Sequence, residues 1–324
     1  MKKVLFSMVV ALVATVAVQA QKISAVSKDG KTTLYHMLHE AIKGASPGSV
    51  IYLPGGSYAI HDSVKITKRL DIIGIGHKAD GENADGNTTI SGNLWFNGGS
   101  DESSVTGCYI TGDVNIGADS PVNGVLVRHC NLNSVQIKNG NCIETQINQN
   151  YIRNSSNCSD SSVDFTNNIM HSLLHINAGK IKNNIFTNWG DAYTGSLNNI
   201  YGSVVSNNVI NCLWTVNFGN ARFDGTIFLD NMHGDAYGTR YISLNGHSWD
   251  DYFVKCNGFA INTVSDFHFK DEFKEYEDKV GIYGGTGFDD RCLPPTPFIV
   301  EKSIPEKTNA SGKLNIKIRV KANE

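Results

Sequence analysis

The chain has 324 residues, 18% of them charged, a net charge of -3, and 32 Gly against 7 Pro. It is long enough to bury a sizeable core, and it lacks the basic balance that marks nucleic-acid binding, so nucleic acid is not expected as a partner. Its seven cysteines form none of the close pairs of a zinc or thioredoxin site.

Residues 1–20 read as a secretory signal: Lys2-Lys3, an apolar run from Val4 to Val18, then Val18 and Ala20 before an expected cut at Gln21. The protein is therefore expected outside the cytoplasm, secreted or at the cell surface, with the periplasm as an alternative. No later run approaches membrane-spanning length. Leu34, Met37, Leu38 and Ile42 fall at helical spacing and predict a helix over Thr33 to Lys43. Pro47-Gly48 breaks the chain before the strand Val50 to Leu53, and Pro54-Gly55-Gly56 turns it into Tyr58 to Ile60.

Asparagine organises the middle of the chain. Asn167-Asn168-Ile169, Asn183-Asn184-Ile185, Asn198-Asn199-Ile200 and Asn207-Asn208-Val209 repeat one doublet, with Asn150-Tyr151-Ile152 and Asn231-Met232 as degenerate copies. Taking Asn131, Asn150, Asn168, Asn184, Asn208 and Asn231 as equivalent gives steps of 19, 18, 16, 24 and 23 residues, the period of a solenoid, with Asn199 in an inserted loop. Asparagine tolerates the left-handed backbone region, and its amide both donates and accepts, so stacked corners predict a ladder with Ile152, Ile185 and Val209 directed inward. Short strands such as Val125–Val127, Val135–Ile137, Ile143–Ile147, Val163–Phe165, Leu173–Ile176 and Val204–Val205 are rich in β-branched residues and separated by Gly, Asn and Ser. Cys108, Cys130 and Cys212 sit at rung-like positions and read as small buried residues, a disulfide between coils staying open.

The segment Leu38 to Gly76, with a helix followed by "PGSVIYLPGGSYAI", "VKIT" and "LDIIGIG", resembles the opening of the pectin lyase-like β-helix superfamily. The resemblance spans about residues 33–268 and implies an all-β, right-handed parallel β-helix: roughly ten stacked coils, an N-terminal capping helix, and one continuous core that no single coil could bury. The expected organisation is residues 1–20 signal, 21–269 β-helix and 270–324 a linker with a small C-terminal β element. There "KDEFKEYEDK" reads as a solvated face or linker, and Phe298–Ile304 and Leu314–Val320 as two strands that cap the solenoid or form an attachment or sorting module. Leu314, Ile316, Ile318 and Val320 alternate with polar residues and predict one buried face.

The catalytic constellations of the family's enzymes are incomplete here. Gly246-His247-Ser248 precedes Asp250-Asp251 and Arg319-Val320-Lys321 lies in the tail, the wrong order for a polygalacturonase. Only Val163-Asp164-Phe165 echoes the pectinesterase aspartates, and the calcium carboxylates of pectate lyases are missing. No cofactor is therefore expected; calcium stays open but has no motif. His171 and His175, four apart on a strand, share a face without a third metal ligand. Aligned on the corners, Trp189 falls five residues after Asn184, Trp214 six after Asn208 and Tyr237 six after Asn231, so three rings line up on successive coils. With Trp249 they nominate a sugar-stacking surface, and Asp191, His233, Asp235 and Arg240 the acid, base and uronate-neutralising groups. The expectation is a monomer that binds, and in an enzymatic form cleaves as a lyase or hydrolase, an extracellular polysaccharide or surface glycan; the alternative is a non-catalytic, adhesin-like β-helix.

Overall fold

The computed structural model describes residues 23–78, 86–187, 196–210, 227–229, 231–233, 241–243, 249–255, 265–291, 293–294, 296–305 and 307–321. The chain winds as a parallel β-solenoid through three sheets. Sheet I has 11 strands, beginning with the antiparallel hairpin Ser24–Lys28/Lys31–Tyr35 and continuing in parallel from Ser49–Tyr52 to Ile227–Leu229. Sheet II has 10 strands from Gly56–Ala59 to Tyr241–Ser243, and sheet III has 6 from Leu94–Phe96 to Leu197–Tyr201. A single bridge from Ile66 to Phe96 adds a further rung to sheet III, giving about seven turns where roughly ten were expected.

Strand alternation builds the core. In register along sheet I, Ile72, Val105, Val127, Ile147, Phe165, Ile181 and Val205 stack on one another, each fully buried. Each such side chain contributes about 1.5–3 kcal/mol on removal from water, and only stacking removes it.

The asparagine doublet divides its work between two positions. The first residue takes the left-handed conformation: Asn167, Asn183 and Asn207 have φ of 53°, 55° and 56°, and Gln149, His129 and Gly107 occupy the same place in earlier coils at 55°, 50° and 68°. The second residue makes the ladder. Asn168 Oδ1 accepts from the N–H of Asn150 at 3.0 Å and from its Nδ2 at 3.0 Å; Asn184 Oδ1 serves Asn168 in the same way at 2.9 and 3.0 Å, and Asn208 Oδ1 serves Asn184 at 2.8 and 3.0 Å. Each Nδ2 also donates across the corner, from Asn150 to Val127 O, Asn168 to Ile147 O, Asn184 to Phe165 O and Asn208 to Ile181 O.

Register corrects parts of the repeat. Asn131 pairs with Tyr151, so Cys130 and not Asn131 is the residue on the rung before Asn150; its N–H donates to Asn150 Oδ1 at 2.9 Å. Cys108 and Thr88 continue the column toward the N-terminus. Cys108, Cys130, Cys142 and Cys158 are free, buried thiols, while Cys212, Cys256 and Cys292 lie outside the described residues. Asn199 lies in the strand Leu197–Tyr201 of sheet III, not in an inserted loop. Ile152 faces the core as expected, but Ile185 and Val209 point outward with Tyr151 and Ile169 because a short sheet II strand begins immediately after the rung. At the N-terminus Lys31–Tyr35 is a strand and the helix is confined to Leu38–Gly44, leaving Leu34 and Met37 exposed.

The outward stripe of sheet II is covered by the chain's own C-terminal region. Phe253, Phe267, Phe269, Val280, Ile282 and Phe288 bury Tyr151, Ile169, Ile185 and Val209. The charged run forms the 3-10 helix Asp271–Tyr276 of this strap, and most of its side chains are solvated as expected. The left-handed column grips it: Asn167 Nδ2 donates to Ile282 O and Gly284 O, both at 2.7 Å, Thr286 Oγ1 donates to Asn167 Oδ1 at 3.0 Å, and Gln149 Nε2 donates to Gly287 O at 2.9 Å. Gly281, at φ 73°, passes so close that an added Cβ would sit 3.2 Å from Val209. Beyond the strap, Phe298–Ser303 and Lys317–Lys321 pair as an antiparallel hairpin. The predicted buried face is not formed: Leu314, Ile316, Ile318 and Val320 are exposed, because no second layer among the described residues covers this two-stranded sheet.

Candidate functional site

Of the eight residues nominated from the sequence, Trp189, Asp191, Trp214, Asp235, Tyr237 and Arg240 lie outside the described residues. His233 ends the strand Asn231–His233, between Val209–Ile210 and Tyr241–Ser243 in sheet II. Trp249 opens the short helix Trp249–Tyr252. His171 lies 3.4 Å from Ser155 Oγ and His175 3.6 Å from an Asp160 carboxylate oxygen. Among the described residues no group of three or more His, Cys, Asp or Glu is placed to hold a metal ion.

The strap carries a polar cluster that the sequence did not signal. The His268 ring stacks on Tyr283 with centroids 3.8 Å apart and planes 5° from parallel. Its Nδ1 meets Glu277 Oε1, and its Nε2 lies 3.3 Å from Asp290 Oδ2. Glu277 also accepts from the Phe269 N–H at 2.8 Å and from Lys274 Nζ at 3.0 Å. Burial alone would raise the Glu277 carboxyl, but the bonds from His268, Phe269 and Lys274 outweigh it and hold it below the usual range. Burial, then the Asp290 carboxylate, pushes the Tyr283 phenol far up. Both imidazole nitrogens are thus engaged by carboxylates of the strap itself, and the cluster clamps Asp266–Phe269 to the segment that follows it.

The open polar surface lies on sheet III. Alternation turns Leu94 and Phe96 inward and Trp95 outward, and the register runs from Trp95 through Asn115, Gln136, Asn157 and Leu174 to Asn198. Four of the six are amides, spaced by about 4.8 Å from coil to coil; Asn115 is buried and the Asn198 Oδ1 is turned out of solvent, which leaves Gln136 and Asn157 as the open pair. Gln136 Nε2 donates to Ser134 Oγ at 2.8 Å, and Asn157 Oδ1 accepts from the Ser159 N–H at 3.1 Å. A second polar row edges the wall: Asn93 Nδ2 donates to Asp62 at 2.8 Å, Asn133 Nδ2 to Asp113 at 2.7 Å and Asn154 Nδ2 to Asn133 Oδ1 at 2.6 Å.

Trp95 ends this wall beside a basic groove. Lys65 Nζ sits 3.4 Å from the centroid of the Trp95 ring system, a cation–π contact. Hydrogen bonds from Asn93 and Trp95, with the nearby Lys65 charge, hold the Asp62 carboxyl low. Partial burial lowers the Lys65 ammonium, opposed by Asp62 and Asp119. The groove, of about 320 Å³, runs between the helix Leu38–Gly44 and the following coil, and His39, Lys43, Ser63, Lys65, Thr67 and Lys68 line it. Lys68 Nζ donates to Lys43 O at 3.1 Å and Ala45 O at 2.8 Å, closing the helix C-terminus with a cation. Amides that give and accept, next to an aromatic face, match a ligand rich in hydroxyls. No family model, curated protein or solved structure matches this chain.

Proposed function

We propose that this is an exported β-helix protein of the pectin lyase-like kind that binds an extracellular polysaccharide along the outer wall of sheet III. The observation that carries the reading is the in-register column of sheet III in which Trp95, Gln136 and Asn157 are partly exposed, with Asn115 buried between Trp95 and Gln136 and Leu174 following Asn157. A linear glycan presents hydroxyl groups at a regular repeat, and a solenoid presents side chains at a regular repeat. Ring stacking is worth about 0.5–1.5 kcal/mol beyond area, and each additional coil adds further amide contacts. The capping helix Leu38–Gly44 followed by the strands Ser49–Tyr52 and Leu70–Ile73 supports the family affinity. Cleavage is a separate proposal, resting on the sequence pattern of Asp191, His233, Asp235 and Arg240.

A glycan-array screen followed by titration of the best hit against Trp95→Ala and Gln136→Ala tests the binding. Both variants should weaken binding while the melting temperature holds, since each side chain is only partly buried. Absence of any glycan ligand would transfer the assignment to a structural, adhesin-like β-helix. Product analysis of the bound glycan decides cleavage.

A further inference from the structure

We infer that the basic groove beside Trp95 is a subsite for a sulfate or phosphate ester carried by the glycan. This rests on the proposed sheet III wall, which brings a sugar substituent to the mouth of the groove. Three ammonium groups, from Lys43, Lys65 and Lys68, and the His39 imidazole line a single cleft with the hydroxyls of Ser63 and Thr67. Among the described residues no carboxylate lines the groove: Glu40 is exposed on the same helix, and Asp62 and Asp119, the carboxylates near Lys65, are engaged by Asn93 and by the Gly98 N–H.

The type of cation narrows the anion. Planar carboxylates are best matched by the bidentate guanidinium fork, whereas compact ammonium groups and hydroxyls suit the oxygens of a tetrahedral ester, which point in several directions. The groove contains lysines and no arginine. Lys65 selects in the same sense. Its ammonium lies against the Trp95 ring, so an anionic substituent on a sugar at that ring meets the cation directly. Lys68 is partly committed to the helix carbonyls, which leaves Lys43 and Lys65 as the adjustable contacts.

The test compares dextran sulfate, phosphorylated dextran, unmodified dextran and oligogalacturonate of matched length by calorimetric titration at two salt concentrations. The probes are run against the full chain, the Lys43→Gln/Lys65→Gln double variant and Trp95→Ala. The expected result is that one or both esters bind more tightly than unmodified dextran, with affinity falling as salt rises. The double variant should lose roughly tenfold or more for the ester, a difference of about 1.4 kcal/mol, and nothing for unmodified dextran. The relative strength of sulfate and phosphate then identifies the ester. Equal binding of esters and dextran, strongest binding of oligogalacturonate, or an unchanged ester affinity in the double variant would each overturn the inference. If dextran binding persists and falls only in Trp95→Ala, the wall reading stands while the groove reading fails; if no probe binds, the groove reading fails and the array screen alone judges the wall.

Discussion

Replacing Asn184 with alanine removes the centre of the ladder. Its Oδ1 accepts from the N–H and Nδ2 of Asn168, and its Nδ2 donates to Phe165 O, Lys182 O and Asn208 Oδ1. Some partners retain other bonds. Asn168 Nδ2 still reaches Ile147 O, Lys182 O still accepts from the Asn167 N–H, and Asn208 Oδ1 still accepts from the Asn184 N–H. The Asn168 N–H is left without its acceptor and Phe165 O loses its amide donor, in a place where Asn184 is fully buried. Each buried orphan costs about 1–3 kcal/mol, so a loss of about 2–4 kcal/mol is expected once partial relaxation is allowed. At roughly 2–4 °C per kcal/mol for a chain of this size, the melting temperature should fall by about 5–15 °C. Urea unfolding followed by far-ultraviolet circular dichroism measures it, with Asn154→Ala, an exposed amide in the row beside the wall, as control. A loss below about 0.5 kcal/mol, the range of ordinary surface changes, would refute the ladder as a source of stability.

Asn167→Ala should release the strap more than it weakens the coil, because the side chain holds Ile282 O, Gly284 O and Thr286 Oγ1; limited proteolysis should then cut within 277–290 well before the solenoid, and unchanged protection there would contradict the assignment. Burial pushes His77 down to about 3 and His129 down to about 4. With folded values below the unfolded one, the unfolded state takes up the proton first as pH falls, so stability present above about pH 6.5 is lost on acidification, down to about pH 4 for His129 and about pH 3 for His77. Since both His77 nitrogens are buried without partners among the described residues, His77→Phe should raise stability by about 1 kcal/mol and flatten the acid dependence of the urea midpoint; an unaltered slope would count against it. Deleting residues 299–324 should shift the melting temperature by no more than about 2 °C, as Leu314, Ile316, Ile318 and Val320 are exposed already and Ile299 and Val300 only partly buried; a large drop would reveal a packing role for it.

The architecture was legible because asparagine at a corner carries two requirements at once, and the doublets separate them into adjacent residues. The single-residue slip at Asn131 arose because Cys130 holds the rung there, and an Asn followed by an apolar residue appears one position later by coincidence. An apolar residue after a corner ordinarily faces the core; at Ile185 and Val209 the sheet II strand begins at once and turns them outward, and the strap that makes an apolar residue tolerable there is distant in sequence, 117 residues between Asn167 and Gly284. Val280, Ile282 and Phe288 carry no periodicity that would announce a partner. The sheet III wall was hidden for a related reason. Trp95, Asn115, Gln136 and Asn157 are one column only after the register is known, and no two of them are neighbours in the chain.

The strap also sets an order of events. Its binding strip is the column of Gln149, Asn167, Asn183 and Asn207, which exists as a strip only once those coils have stacked. Strap docking must therefore follow winding, and chain closure over so long a loop is slow compared with adding the next coil. In that interval Tyr151, Ile169, Ile185 and Val209 form a naked apolar seam down one side of an otherwise finished rod. Whatever delays the strap therefore leaves that seam open to water, the kind of exposed apolar surface on which chains aggregate.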